Sequence, residues 1–470
     1  MPKHVACLSL RMKQRGIYAK ITLSSQTVYC GLWRTTYLDK SLSSVDIRKR
    51  VTVQKILFFF LHPLWRLYDA LVPKRDNYWA FATHHIHTGR FIENQRALFE
   101  RIKCEQGIRK IIFYRGEPSD FQLEDAFNYE IVKHGSWRGY WLLAQCRVVF
   151  LTHSIAMDFS LRWGGRAFSV LKLDQSNRTI VNLWHGIPIK RLLYTANEQA
   201  RLHTDRVSYR RFERARYAGL VASSDIDSYA MAAMFYPLNY GQVWLTGLPR
   251  NDFLLMPEEQ LPRYIRESIQ SIRRLKNGKR LVLYAPTYRQ TNVSTGAYYY
   301  QFSPEEIDSL RDLLGRHNAV LGYRPHYFKN SKEYFNLDQF IDGETIIDLS
   351  QAVVPELSAA ARECEVLLTD YSSVHTDTLY LDKPSLCFAY DLDEYLANQD
   401  GLLYDLSLVF GHGICGDYQS LLGKLDLVLS GRLSSEELSG KVARKIFFNY
   451  RDGLNSQRVY ERVCQALGWQ

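Results

Sequence analysis

From Tyr78 onward the chain repeats one pattern: a short apolar run, a polar corner, then a stretch with helical spacing. Runs that are apolar on both faces suit strands buried in a parallel sheet, and the helical stretches supply the crossovers that parallel strands need. The first block predicts strands at Tyr78–Ala82, Lys110–Tyr114, Arg147–Leu151, Ile180–Trp184, Leu220–Ser223 and Val243–Thr246. Its helices fall at Asn94–Lys103, Gly139–Ala144 and Ile226–Met234. A charged, proline-containing connector, Met256–Arg263, leads to a helix over Tyr264–Leu275, and the alternation restarts. Strands follow at Leu281–Tyr284, Ala319–Tyr323, Thr345–Asp348, Val366–Thr369 and Ser385–Phe388, with helices at Val354–Glu363 and Val374–Tyr380. Two such blocks in succession predict an α/β protein with two doubly wound, mostly parallel sheets facing a central cleft. The expected domains are 76–255 and 256–435, with 1–75 as an appendage and 436–470 as a closing segment. A helix near Arg444–Ala466 is expected to pack back across the joint.

At 470 residues and 46% hydrophobic content, the chain has ample apolar material for two cores. The eight cysteines contain no Cys-x-x-Cys pair, which argues against a zinc site and fits reduced thiols in the cytoplasm. The net charge of +11 is confined to one end: residues 1–75 hold 14 Lys+Arg against 3 Asp+Glu, so the remainder is neutral. A basic end on a neutral body argues against a general nucleic-acid surface and for a local contact. That contact is expected to be an anionic membrane. Val51–Val72 carries the compact run Ile56–Leu61, then Trp65 and Tyr68, with Arg48, Lys49, Arg50 and Lys55 before it. The run is far shorter than the ~20 residues of a spanning helix and is broken by His62-Pro63, so a segment lying in the headgroup layer is expected. A buried helix capping the first domain is the alternative. Residues 1–30 lack the apolar core of a signal peptide, and residues 1–40 alternate weakly, as a small strand-rich piece would.

Ligands of doubly wound sheets bind beyond the carboxyl ends of strands, and the polar motifs lie there. Trp184-His185-Gly186-Ile187-Pro188 puts a histidine, largely neutral near pH 7 and able to accept a proton, at one strand end. Gly186 permits close approach of another group, and Lys190 is placed to face phosphate. The plain alternative is a strand-end histidine bonded to backbone. Arg324-Pro325-His326 pairs a guanidinium with an imidazole across a rigid turn, suited to charge on a departing phosphate or merely to a turn. Thr369-Asp370-Tyr371-Ser372-Ser373 runs from a buried strand into a helix start, a phosphate cradle or simply an N-cap. Asp377, one turn further, either reaches a nucleoside edge or lies on a solvated face. Thr287 and Arg289 end another strand, and Arg250, Asn251 and Asp252 lie near the interdomain joint. No cluster with metal-ligand spacing is present and no cofactor is expected; Asp370 and Asp377 are the residues that could meet a loosely bound Mg²⁺.

Taken together these motifs resemble the CDP-glycerol:poly(glycerophosphate) glycerophosphotransferase family, the teichoic-acid primases and polymerases with relatives in capsule synthesis. The resemblance begins at Gly89-Arg90-Phe91-Ile92-Glu93-Asn94-Gln95-Arg96-Ala97-Leu98-Phe99 and passes through the segments above, including Thr246-Gly247-Leu248-Pro249-Arg250-Asn251-Asp252 and Tyr284-Ala285-Pro286-Thr287-Tyr288-Arg289. It ends at Tyr390-Asp391-Leu392-Asp393-Glu394-Tyr395. It departs at Ile187, where threonine is common, and at His375 and Thr378, which replace apolar residues. The resemblance implies a GT-B-like fold of two Rossmann-like domains, attachment to the inner face of the cell membrane, and transfer of glycerol phosphate or ribitol phosphate from a CDP-polyol to a polymer or lipid-linked acceptor. It matches His185 to the family's base, His326 to the histidine near the donor pyrophosphate, and Ser372 and Ser373 to phosphate-binding hydroxyls. The competing expectation is a GT-B glycosyltransferase using a nucleotide sugar.

Overall fold

A computed structural model describes residues 9–13, 16–23, 26–31, 59–83, 89–116, 121–159, 161–162, 169–171, 173–175, 177–196, 211–287, 289, 300–326, 336–399 and 401–469. Most of the basic end, including Arg48–Lys55 and the start of the Ile56–Leu61 run, lies outside the described residues, as does Tyr288. The chain divides into two compact units, Met1–Pro63 with Arg162–Leu171, and Leu64–Leu161 with Lys172–Gln470. In the first, β1 (Ser9–Lys13), β2 (Gly16–Leu23) and β3 (Gln26–Gly31) form an antiparallel sheet in sequential order. The short strands β8 (Leu161–Arg162) and β9 (Ser169–Leu171) pair with each other.

The second unit contains both parallel sheets. The first comprises β4 (Arg75–Ala82), β5 (Arg109–Tyr114), β6 (Tyr129–Lys133), β7 (Cys146–Leu151), β10 (Thr179–Asn182), β11 (Gly219–Ala222) and β12 (Val243–Leu245), in the order β12-β11-β10-β7-β4-β5-β6. The second comprises β13 (Arg280–Tyr284), β14 (Ala319–Tyr323), β15 (Ile346–Asp348), β16 (Val366–Thr369), β17 (Ser385–Phe388) and β18 (Ile414–Cys415), in the order β15-β14-β13-β16-β17-β18. Each sheet winds outward from its first strand and then switches direction, between β4 and β7 and between β13 and β16. In doubly wound sheets ligands bind outside the strands' carboxyl ends at such switch points. The strands are apolar on both faces because helices cover both: β7, β10, β13 and β16 are buried almost throughout.

Local chemistry sets many helix starts. Ser303 and Glu306 form a reciprocal capping box with Pro304 at the first helical position of Pro304–Arg316, and Ser434 with Glu437 does the same for Ser435–Phe447. Three expectations change. The closing helix is two helices, Ser435–Phe447 and Asn455–Leu467, separated at Phe448–Leu454. The strand read through Trp184 stops at Asn182, because Trp184 turns to φ +55°. A helix over 59–71 also runs through His62-Pro63 without interruption.

The C-terminal helices return to the first sheet. Asp252 accepts the Asn455 and Ser456 N–H groups at 2.9 and 2.8 Å, capping the last helix. Ser224 Oγ donates to the Ile446 carbonyl at 2.5 Å, and Ser223 Oγ donates to the Phe447 carbonyl. One hydrophobic cluster therefore runs from Trp79, Phe81 and Phe150 of the first sheet through Val459 and Val463 to Tyr371 and Tyr380 beside the second. Further clusters flank the second sheet on its two faces.

Candidate active site

The loop after β10 carries His185. Asn182, the last residue of the strand, accepts the Trp184 N–H at 2.9 Å and donates to the His153 carbonyl at 3.1 Å. The His185 ring stacks on His153 (centroids 4.6 Å apart, planes 16° apart) and lies 4.0 Å from the Trp184 ring. Its face is thus held by an aromatic neighbour while it stays half-buried. Gly186 follows directly. A Cβ there would meet Ser373 Oγ at 3.1 Å and Arg250 Nη2 at 3.7 Å, so this loop touches the turn after β16 in the other sheet. Only glycine fits that approach without displacement.

Further along the same loop, Lys190 pairs as an isolated bridge with Leu402, and Leu403 N–H donates to the Ile189 carbonyl at 2.8 Å. Burial, then the nearby Lys190 ammonium, lowers the His326 pKa to about 3. His326 is therefore a neutral imidazole at physiological pH. Its neighbour Arg324 donates to the Leu349 and Val354 carbonyls at 2.8 and 2.7 Å, and burial lowers its pKa to about 10, still well above neutrality.

The turn after β16 is braced by buried charge. Arg289 is fully buried, salt-bridged to Asp370 at 2.8 Å and to Asp391 at 2.9 Å, with its guanidinium over the Tyr371 and Tyr395 rings. Asp370 also accepts the Thr287 N–H at 2.9 Å and its hydroxyl, while Thr369 Oγ1 donates to the Ala285 carbonyl at 2.7 Å. Thr287, Arg289, Thr369 and Asp370 thus lock two strand ends together. Ser372 and Ser373 are half-buried; Ser372 Oγ accepts the Val374 N–H at 3.3 Å, and Ser373 makes no side-chain cap. Asp377 is neither solvated nor directed to open space: it is buried and accepts from Arg250 at 2.9 Å. Asp252 is taken up in capping Asn455–Leu467, and Asn251 is buried beside it. Among the described residues no group of three His, Cys, Asp or Glu could hold a metal ion.

Three contributors escape a motif-by-motif reading. Asn94 is buried in Glu93–Ile102; it donates to the Leu183 and Trp184 carbonyls at 3.3 and 3.0 Å and accepts the Arg250 N–H at 2.9 Å. Glu93 and Glu356 meet across the two halves, with Glu93 N–H donating to Glu356 Oε2 at 3.2 Å and Tyr264 O–H to the same oxygen at 3.1 Å. Burial, then the proximity of Glu93, raises the Glu356 pKa to about 7. The polar run Glu93-Asn94-Gln95-Arg96, set directly before the apolar Ala97-Leu98-Phe99 of the same helix, was the available signal; Asn94, Gln95 and Arg96 are all buried.

Two parallel doubly wound sheets with polar loops meeting between them define a GT-B-like fold. A family profile for CDP-Glycerol:Poly(glycerophosphate) glycerophosphotransferase matches residues 68–465, and the chain belongs to that family. A teichoic acid poly(glycerol phosphate) polymerase of Staphylococcus epidermidis is 30% identical over 240 residues, 50% of this chain but 32% of the polymerase. The match thus spans about a third of that relative's length. A teichoic acid glycerol-phosphate transferase of Staphylococcus aureus is 24% identical over 433 residues, 88% of this chain and 98% of the relative. The solved wall teichoic acid polymerase TagF shares the fold at TM-score 0.64 and 21% identity, covering 91% of this chain and 99% of TagF. TagF has also been solved as a histidine-to-asparagine variant with CDPG.

Proposed function

We propose that this enzyme transfers a polyol phosphate, glycerol phosphate or ribitol phosphate, from a CDP-polyol to a hydroxyl on a growing wall polymer or lipid-linked acceptor, releasing CMP. The observation that carries the reading is the contact of the His185-Gly186 loop with Ser373, which brings a half-buried base to a pair of half-buried hydroxyls at a strand-end crevice. The family membership supplies the donor class.

In this mechanism His185 removes the proton of the acceptor hydroxyl, whose oxygen attacks the β-phosphorus of the donor. The bond from that phosphorus to the bridging oxygen breaks, and the electron pair leaves with CMP. Ser372 and Ser373 donate to non-bridging oxygens. His326, neutral because it is buried beside Lys190, donates a hydrogen bond, while Lys190 supplies the positive charge near the departing phosphate. Arg289, Asp370, Asp391 and Thr287 hold the second-half turn in register. The test is CMP release with CDP-glycerol, CDP-ribitol and a panel of nucleotide sugars. Turnover with a CDP-polyol, lost by about 10²–10⁴-fold in His185→Ala with donor binding kept, is expected. Release of UMP or UDP from a nucleotide sugar instead would overturn it.

The reading includes attachment to an anionic membrane face. The helix over 59–71 is pinned by one stripe: Trp65 lies 5.2 Å from the Tyr140 ring, and Asp69 forms a buried double hydrogen bond with Arg178 at 2.5 and 2.7 Å. Its other residues include Leu64, Leu67 and Leu71, exposed by 64, 61 and 73%, with Phe59 and Phe60 also exposed. An apolar stripe of that kind favours the headgroup–acyl boundary. No helix among the described residues is long and apolar enough to cross a membrane.

A further inference from the structure

The residue that presents His185 has a costly backbone. Trp184 adopts φ +55°, a region that bulky side chains enter only where the surroundings over-determine it. Two asparagines do so here. Asn182 Oδ1 accepts the Trp184 N–H at 2.9 Å, and Asn94 Nδ2 donates to the Trp184 carbonyl at 3.0 Å. The strained residue is gripped on both of its peptides, and the second of these is the bond to His185.

Asn94 does more than its partner. Its Nδ2 also donates to the Leu183 carbonyl at 3.3 Å, and its Oδ1 accepts the Arg250 N–H at 2.9 Å. Arg250 pairs with Asp377 at 2.9 Å, on the helix that begins just after Ser373. Ser373 in turn lies against Gly186, next to His185. The contacts close a ring: Asn94, the Trp184-His185-Gly186 loop, Ser373, Asp377, Arg250 and back to Asn94. A carboxamide alone among side chains of this length both donates twice and accepts, and Asn94 is fully buried, so water cannot stand in for a lost partner.

We infer that Asn94 is a positioning residue, which aims the His185 imidazole and ties it to the serine turn of the opposite sheet through Arg250 and Asp377. The inference rests on the reading of His185 as the base. Asn94→Asp keeps the acceptor for Arg250 but places oxygen against the Leu183 and Trp184 carbonyls, so the loop must move while the joint to Arg250 stays.

The experiment compares the full chain with Asn94→Asp, Asn94→Ala, His185→Ala and Ile102→Ala by CMP release from CDP-glycerol or CDP-ribitol across pH 5.5–9, with thermal denaturation. Ile102 is buried in the same helix and serves as a core change remote from the loop. Asn94→Asp is expected to lose roughly 100-fold in kcat with donor KM within about threefold, and to displace the acidic limb of the pH profile. Ile102→Ala should lose stability yet keep kcat within about threefold. If Asn94→Asp does not fold, Asn94→Ala is judged by the same criteria. The inference falls if His185→Ala is inactive while the Asn94 variant turns over normally, or if Ile102→Ala loses kcat equally at matched stability. Normal turnover in His185→Ala would instead remove the base reading itself.

Discussion

Arg250 and Asp377 meet at 2.9 Å with both side chains buried, one from the strand-end loop of the first sheet and the other from the helix behind the serine turn of the second. The pair is a joint between the two halves, close to Gly186. Burial raises the Asp377 pKa while Arg250 opposes that shift, so the carboxylate depends on its partner to remain charged.

Removing one member should therefore cost more than removing both. Arg250→Ala is expected to lose about 3–5 kcal/mol of stability by stranding Asp377, whereas Arg250→Met with Asp377→Leu recovers most of it. Chemical denaturation of the three proteins measures this; equal losses for single and double variants would contradict it.

Gly186→Ala sets a Cβ 3.1 Å from Ser373 Oγ, closer than ordinary van der Waals contact. A shift of a few tenths of an ångström between base and phosphate-binding turn should lower kcat by about tenfold, with little change in melting temperature. Unchanged kcat would mean that the turn yields freely.

Glu356 gives a signed pH dependence. Its folded pKa of about 7 lies above the 4.5 of an ordinary glutamate, so between those values the folded protein holds a proton that the unfolded chain releases. That stabilisation is complete below pH 4.5 and is lost as pH rises through 7. Glu356→Gln has no proton to lose, so its melting temperature relative to the unmodified protein should climb by a few degrees from pH 5 to 8 and then level. A flat difference would place the Glu356 titration elsewhere.

Leu64→Ser, Leu67→Ser and Leu71→Ser together should weaken partition onto anionic vesicles by at least about 30-fold and leave CMP release on a soluble acceptor intact. Co-sedimentation reads this directly, and undiminished binding would assign the membrane contact to another part of the chain.

Much of the architecture was legible because buried parallel strands are recorded in local composition: Ala319–Tyr323, Val366–Thr369 and Ser385–Phe388 carry their boundaries in apolar runs, and the reading Lys110–Tyr114 misses only Arg109 of its strand. The edge strand Tyr129–Lys133 did not, since only Val132 in it is buried. Pro304–Arg316 was also missed, although Ser303 and Glu306 spell a capping box. At Trp184 the apolar run continues after the strand has ended, because the turn is set by tertiary bonds from Asn94 and Asn182 rather than by the residue itself. The positions of the polar motifs could be read from strand ends, but their partners could not. Arg289 finds Asp391 and Arg250 finds Asp377 over separations of 102 and 127 residues, and nothing local in sequence marks such a pairing.

Asp252 holds the start of Asn455–Leu467, whose Val459 and Val463 complete the core under the first sheet. A ribosome delivers that sheet some two hundred residues before the helix that seals it. During synthesis the earlier half must wait, with its apolar floor open, for a segment made after the whole second sheet, so the order of manufacture and the order of completion run in opposite directions.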